Sequence, residues 1–201
     1  MELREVLRRR RMVRRFDSRA VPEDVLARVL DAARRAPSAG FSQGVDLIVL
    51  SGPDETSRYW DAALPVAERD DFPWPGLMAA PVLILPCARP ALYLERYSQP
   101  DKAAAGLGED RAAWPVPFWT VDTAFATENL LLAAVDEQLG ALFFGLFEQE
   151  PIVRLTFGIP DDVEPIGTIA LGYAAADDRP SGSARRRRRR SGDEMVHRGG
   201  W

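Results

Sequence analysis

Apolar residues Leu3, Val6 and Leu7 recur at helical spacing between Glu2 and Arg10, and this short predicted helix delivers a run of arginines at its end. Asp17 and Ser18 stop the pattern. Pro22 then stands at the first position of a second helix, whose stripe Val25, Leu26, Val29, Leu30 and Ala33 ends at Pro37. Pro37-Ser38-Ala39-Gly40 is a tight breaker, and the β-branched run Val45 to Leu50, closed by Ser51-Gly52-Pro53, predicts a buried strand. A weaker helical pattern covers Glu55 to Glu68. Pro81 to Cys87 is apolar at consecutive positions, and its two prolines predict a short strand or an edge of the sheet.

The second half is patterned differently. Residues 98–117 are rich in Pro, Gly and charge, and a stretch of that length without its own pattern is expected to be a mobile loop or a lid. Val121 to Leu139 predicts a long helix capped by Gly140; its segment Leu130 to Val135 is apolar on every side, as in a central helix or a subunit interface. Ala141 to Phe147 predicts a strand, Pro151 to Phe157 a helix ended by Gly158, and Ile166 to Tyr173 a last core strand. Residues 174–201 form a polar, arginine-rich extension that ends in Met195, Val196, His197 and Trp201. No internal repeat interrupts this order, so residues 1–201 read as one domain.

Composition narrows the chemistry. With 46% apolar residues in 201, the chain can bury a sizeable core, and 26 basic against 30 acidic side chains leave a formal charge of -4, so any basic site must be local. One cysteine, Cys87, rules out an internal disulfide, and with one histidine, His197, it removes the usual ligand sets for structural zinc, so no metal is expected. No apolar stretch approaches a bilayer span and the first residues lack a secretory pattern, so a cytoplasmic protein without membrane contact is expected. Hydrolytic motifs are missing. Cys87 lies in an apolar strand, where a buried inert thiol is the ordinary occupant. Redox work would need a bound cofactor, because side chains other than thiols carry electrons and hydride poorly.

Two arginine clusters remain, residues 8–15 and Arg185 to Arg190. Singly, such runs are solvated charge or nucleic-acid tails. Together they could converge on one dianion such as a cofactor phosphate: the front cluster runs into Phe16 and so must lie against the folded body, and apolar anchors follow the back cluster.

Five pieces in order, RRMVRRF (Arg10 to Phe16), RAPSAGFSQ (Arg35 to Gln43), the block Val121 to Gly145, PIGTIALGY (Pro165 to Tyr173) and the C-terminal arginines, resemble the FMN-dependent nitroreductase family. The resemblance implies an α+β fold, a mainly antiparallel central sheet flanked by helices, in an intertwined homodimer with one FMN per subunit in an interfacial cleft. It implies that Arg10 and Arg11 lie near the FMN phosphate and ribityl chain and Arg14 beside the pyrimidine edge of the ring. Pro37 and Ser38 would touch the flavin, partly from the partner subunit, and Gln43 its polar atoms. Backbone amides at Gly145, Leu146 and Phe147 would face flavin N5, which carries the chemistry in place of any catalytic side chain. Arg187 and Arg189 match the basic pair that grips the phosphate.

Met12 departs from a frequent serine at this cofactor site, and Phe41 from a frequent asparagine. Phe41, Trp114, Phe118 and Trp119, with Phe72, Trp74 and Tyr97 nearby in the pattern, are candidates for an apolar slot that takes a flat small-molecule acceptor, the alternative being ordinary core packing. The implied activity passes electrons from NAD(P)H through FMN to a nitroaromatic or quinone. Alternatives are the same fold with a deazaflavin, a non-catalytic flavin-binding protein, or an Arg-tailed nucleic-acid binder.

Overall fold

The computed structural model describes residues 1–182 and 186–201. In chain order the helices are α1 (Leu3–Arg9), α2 (Glu23–Arg34), α3 (Pro53–Ala63), α4 (Pro90–Tyr97), α5 (Phe118–Asp136), α6 (Glu150–Phe157) and α7 (Gly192–Met195). The strands are β1 (Val45–Ser51), β2 (Val82–Ala88), β3 (Gly140–Phe144), β4 (Glu164–Pro165) and β5 (Thr168–Gly172), in an open antiparallel sheet ordered β1-β2-β5-β3 with β4 also paired to β2. The α+β class and the antiparallel sheet implied by the resemblance are the ones observed.

Alternation along the strands sorts the core into two layers. Leu83, Leu85, Cys87, Leu142 and Ala170 face Tyr59 and Trp60 of α3 and Val153 of α6. Their neighbours Val82, Ile84, Ala141, Ile169 and Leu171 face Leu26 and Val29 of α2 and Ala126, Leu130 and Leu131 of α5. Burial on both faces is why β2 is apolar at every position.

β2 is a short interior strand of 7 residues, so of the two readings of Pro81 and Pro86 the short strand holds and the sheet edge does not. Pro86 pairs with Leu47 on one side, and on the other its carbonyl accepts from the Ile166 amide at 2.9 Å. Its missing N–H faces the break between β4 and β5, where the register slips by one residue from Cys87↔Pro165 to Ile84↔Ile169. The bulge at Ile166-Gly167 therefore absorbs the donor that proline lacks.

α5 begins three residues before its predicted start, and Gly140 does not cap it. Gln138 takes the left-handed turn with φ 62°, while Gly140 opens β3 because a Cβ there would lie 2.6 Å from Val13. Thr123 and Thr127 return their hydroxyls to the carbonyls four residues back, and Phe125 stands exposed on the face away from the core. β3 is shorter than the predicted strand, ending at Phe144, with Phe147 already in the left-handed region. Within 98–117 there are two short 3-10 turns, and Trp114 is buried, its indole N–H bound to the Leu107 carbonyl at 2.8 Å.

The C-terminal apolar residues do not anchor on the body of this chain, contrary to the expectation for them. Met195, Val196 and Trp201 are exposed, and α7 is held locally by the Ser191–Glu194 capping box and a two-pronged Arg188–Glu194 pair at 2.6 and 2.5 Å. No helix among the described residues is long and apolar enough to cross a membrane.

Two measurements check this architecture. Gly167→Ala puts a Cβ 2.6 Å from the Phe144 carbonyl, and chemical denaturation is expected to show a loss of roughly 2–3 kcal/mol. Burial pushes the Cys87 thiol from its ordinary 9.0 up to about 11, so the neutral form persists until the pH nears that value. Near pH 8 a disulfide reagent is expected to modify the native thiol about a hundredfold more slowly than the unfolded one.

Candidate functional site

The arginine segment is an added edge beside β3. Val13 donates its amide to the Ala141 carbonyl at 3.0 Å, and Val13 and Phe16 are buried, so the residues between them face outward or along the surface. Met12 bridges Ala141 and packs half-buried into the core. Asp178, its carboxylate shielded from water, accepts the Arg14 and Arg15 amides at 3.0 and 2.9 Å and pairs with the Arg11 guanidinium. Arg15 pairs with Asp177 at 3.2 Å, and Arg10 lies 3.7 Å from the Glu128 carboxylate. Arg14 differs: among the described residues no carboxylate pairs with its guanidinium, which sits 5.6 Å from the centre of the Trp74 ring.

Arg14 lines a cavity of about 700 Å³ between α3 and the end of β3. Its walls are aromatic: Trp60 stacks on Phe144 with centroids 5.9 Å apart, and Phe72 joins Trp60 to Trp74. Gly145, Leu146 and Phe147 close one side, and among the described residues nothing accepts their amide protons. The cavity therefore offers an unpaired cation, unpaired amide donors and flat apolar walls.

A second group of predicted residues lies at the opposite, β1 edge. Pro37, Ser38 and Gln43 line a hollow of about 410 Å³ with Val45 and Leu47. The loop that carries them is strained: Gly40, Phe41 and Gln43 have φ of 61°, 58° and 51°, and for the two non-glycine residues this conformation costs of order 1 kcal/mol each. Ser38 Oγ accepts the Gln43 amide at 3.0 Å, and Arg96 Nε donates to the Gly40 carbonyl at 2.8 Å. Beneath the loop, the buried Asp122 accepts both the Ala39 amide and the Tyr93 hydroxyl at 2.8 Å. Burial and then Asp122 hold the Tyr93 phenol well above its ordinary range, so it remains a donor.

The other candidates lie elsewhere. Trp114 and Trp119 are buried with Tyr93 in a third cluster, the Trp119 indole bound to Glu164 at 3.1 Å, whereas Phe118 and Phe41 are exposed. No hydrogen bond or ion pair among the described residues joins Arg187 or Arg189 to the front cluster, and Arg185 lies outside the described residues. Asp122 and Asp178 escaped sequence reasoning. The one available signal for Asp122 was an acid placed between Val121 and Thr123 near the start of a mostly apolar helix; Asp178 sits in a polar tail where acids are ordinary.

The sequence profile of the nitroreductase family matches residues 7–173. A relative from Methanothermobacter thermautotrophicus, named provisionally as an NADH dehydrogenase/NAD(P)H nitroreductase, is 29% identical over 180 residues, covering 87% of this chain and 78% of its own. Another from Thermus thermophilus, named NADH dehydrogenase, is 28% identical over 183 residues, 86% of this chain and 87% of its own. A solved nitroreductase family protein from Clostridium difficile covers 100% of both chains at 25% identity with a TM-score of 0.71. A second C. difficile structure, described as an FMN-dependent nitroreductase, shares the fold at 18% identity with a TM-score of 0.66 and covers 98% of each chain. With the arginine segment, the breaker loop, α5 and the last strands all inside the matched region, the chain belongs to the nitroreductase family.

Proposed function

We propose that this chain is an FMN-dependent oxidoreductase that takes reducing equivalents from NAD(P)H and passes them to an electron-poor acceptor of the nitroaromatic or quinone class. The observation that carries the reading is the cavity beside β3, in which the unpaired Arg14 and the free amides of Gly145 to Phe147 share one space with aromatic walls. Those donors fit a flavin. Bound there, FMN would supply the electron and hydride transfer that no side chain of this protein can. Arg14 would hold positive charge near the ring edge that becomes anionic on reduction, and the Gly145 to Phe147 amides would donate to the opposite polar edge. Arg10 is the remaining front cation, loosely held at 3.7 Å from Glu128, and with Arg187 and Arg189 it would take the phosphate. Arg11 is engaged by Asp178, so its contribution would be to hold the segment rather than to grip phosphate.

The acceptor would enter along the Phe72 and Trp74 wall, and the named relatives support a nicotinamide donor. The split between the two rims supports a homodimer: Pro37, Ser38, Phe41 and Gln43 at the β1 edge would complete the partner's cavity beside its β3. Phe125 on the outer face of α5 and the exposed Phe41 and Phe147 would be covered in that assembly.

Purified protein, reconstituted with FMN if needed, is expected to be yellow, to bleach with NAD(P)H without oxygen, and to recover colour when a quinone is added. A protein that takes up no FMN would sink the proposal. Arg14→Gln is expected to lower the flavin midpoint potential by roughly 30–60 mV, measured by redox titration. Sedimentation equilibrium is expected to return the mass of two chains.

A further inference from the structure

The loop at the β1 rim poses a problem that its own residues do not solve. Gly40 adopts a positive φ freely, but Phe41 and Gln43 do so against steric resistance, and three such turns fall within four residues. The bonds internal to the loop, Ser38 Oγ with the Gln43 amide and Ser42 Oγ with the Ala39 carbonyl, move with it and cannot fix it to the body. Strained backbone persists only where its surroundings over-determine it.

Tyr97 packs against Gly40 and Ala39 against the Tyr93 cluster, and among the described residues two side-chain hydrogen bonds reach the loop from the body, from Arg96 and Asp122. Arg96 is shared: it also makes a two-pronged pair with Asp101 at the surface. Asp122 is different in kind. It is 3% exposed, sits in the second turn of α5, and its Oδ2 receives two neutral donors, the Ala39 amide and the Tyr93 hydroxyl. A carboxylate withdrawn from water is costly unless its hydrogen bonds are strong, and charge-assisted bonds to N–H and O–H are the strong kind. Tyr93 completes the seat from below, since a Cβ on Gly44 would lie 2.4 Å from its ring.

We propose that Asp122 is a positioning residue: from the interior of α5 it holds the 38–43 loop in its left-handed form and thereby sets where Ser38, Phe41 and Gln43 stand at the rim. It touches neither acceptor nor cofactor. That the placed loop serves flavin binding rests on the function proposed above; that Asp122 places it does not.

The test uses the full chain, with hydrogen exchange on protein free of flavin and a separate FMN titration read by quenching of flavin fluorescence. Asp122→Ala is expected to speed exchange at the amides of Ala39, Phe41, Ser42 and Gln43 by about tenfold or more, leaving β2 protected as before. FMN affinity is expected to fall by about tenfold. Asp122→Asn keeps one neutral acceptor oxygen, so it is expected to recover most of both. A merely structural loss would move β2 and the loop together, and that result, or unchanged loop exchange, overturns the proposal. If Asp122→Ala does not fold, Asp122→Asn decides: a few-fold rise confined to the loop supports the anchor, and none overturns it. If the native protein takes up no FMN, the functional reading fails while the exchange result still judges the anchor. If it binds FMN and Asp122→Ala frees the loop without weakening that binding, the functional half of the inference is overturned.

Discussion

A sheet packed by helices on both faces leaves polar chemistry nowhere to go but its rims, and the arrangement of this chain follows from that constraint. β2, β5 and the first half of β3 carry side chains that are buried whichever way they point. Apart from Arg187 and Arg189 of the C-terminal extension, the groups implicated in function lie on segments that enter or leave the sheet at an edge: residues 10–17 and 145–147 beside β3, and residues 37–43 leading into β1.

Each rim is held by a buried carboxylate. Asp178 gathers the amides of Arg14 and Arg15 and the Arg11 side chain, which leaves Arg14 as the cation facing the aromatic cavity. Asp122 does the corresponding work under the opposite loop. In both places an anion of the protein itself satisfies backbone donors, while at the cavity the Gly145 to Phe147 amides find no acceptor among the described residues and Arg14 keeps only a long 3.5 Å contact to the Met12 carbonyl. This is the economy expected of a binding site: donors that serve the fold are paired, and donors that would serve a ligand are not.

The same constraint bears on the two proline-containing and glycine-containing strands. Pro86 survives inside the sheet because the neighbouring strand breaks where its missing N–H would have donated, and Gly167 supplies the backbone for that break. A proline rule taken from isolated strands fails here because the compensation lies eighty residues further along the chain.

Much of the fold was legible in the sequence. Helical stripes such as Leu26, Val29 and Ala33 and consecutive apolar runs such as β2 report burial directly, because a side chain's transfer free energy depends on its own chemistry and on the local period. The ordered motifs also contain residues that line the two candidate hollows, Arg14 and Gly145 at one and Pro37, Ser38 and Gln43 at the other. What the sequence alone could not decide was pairing. Whether Arg11 or Arg14 stays free depends on Asp178, whether Trp114 lines a slot or fills a core depends on Tyr93 and Tyr97, and whether Phe41 can sit at a positive φ depends on Asp122. Each of those partners is distant in the chain, and electrostatic and hydrogen-bond energies depend on separations of a few ångströms that only the assembled tertiary structure sets.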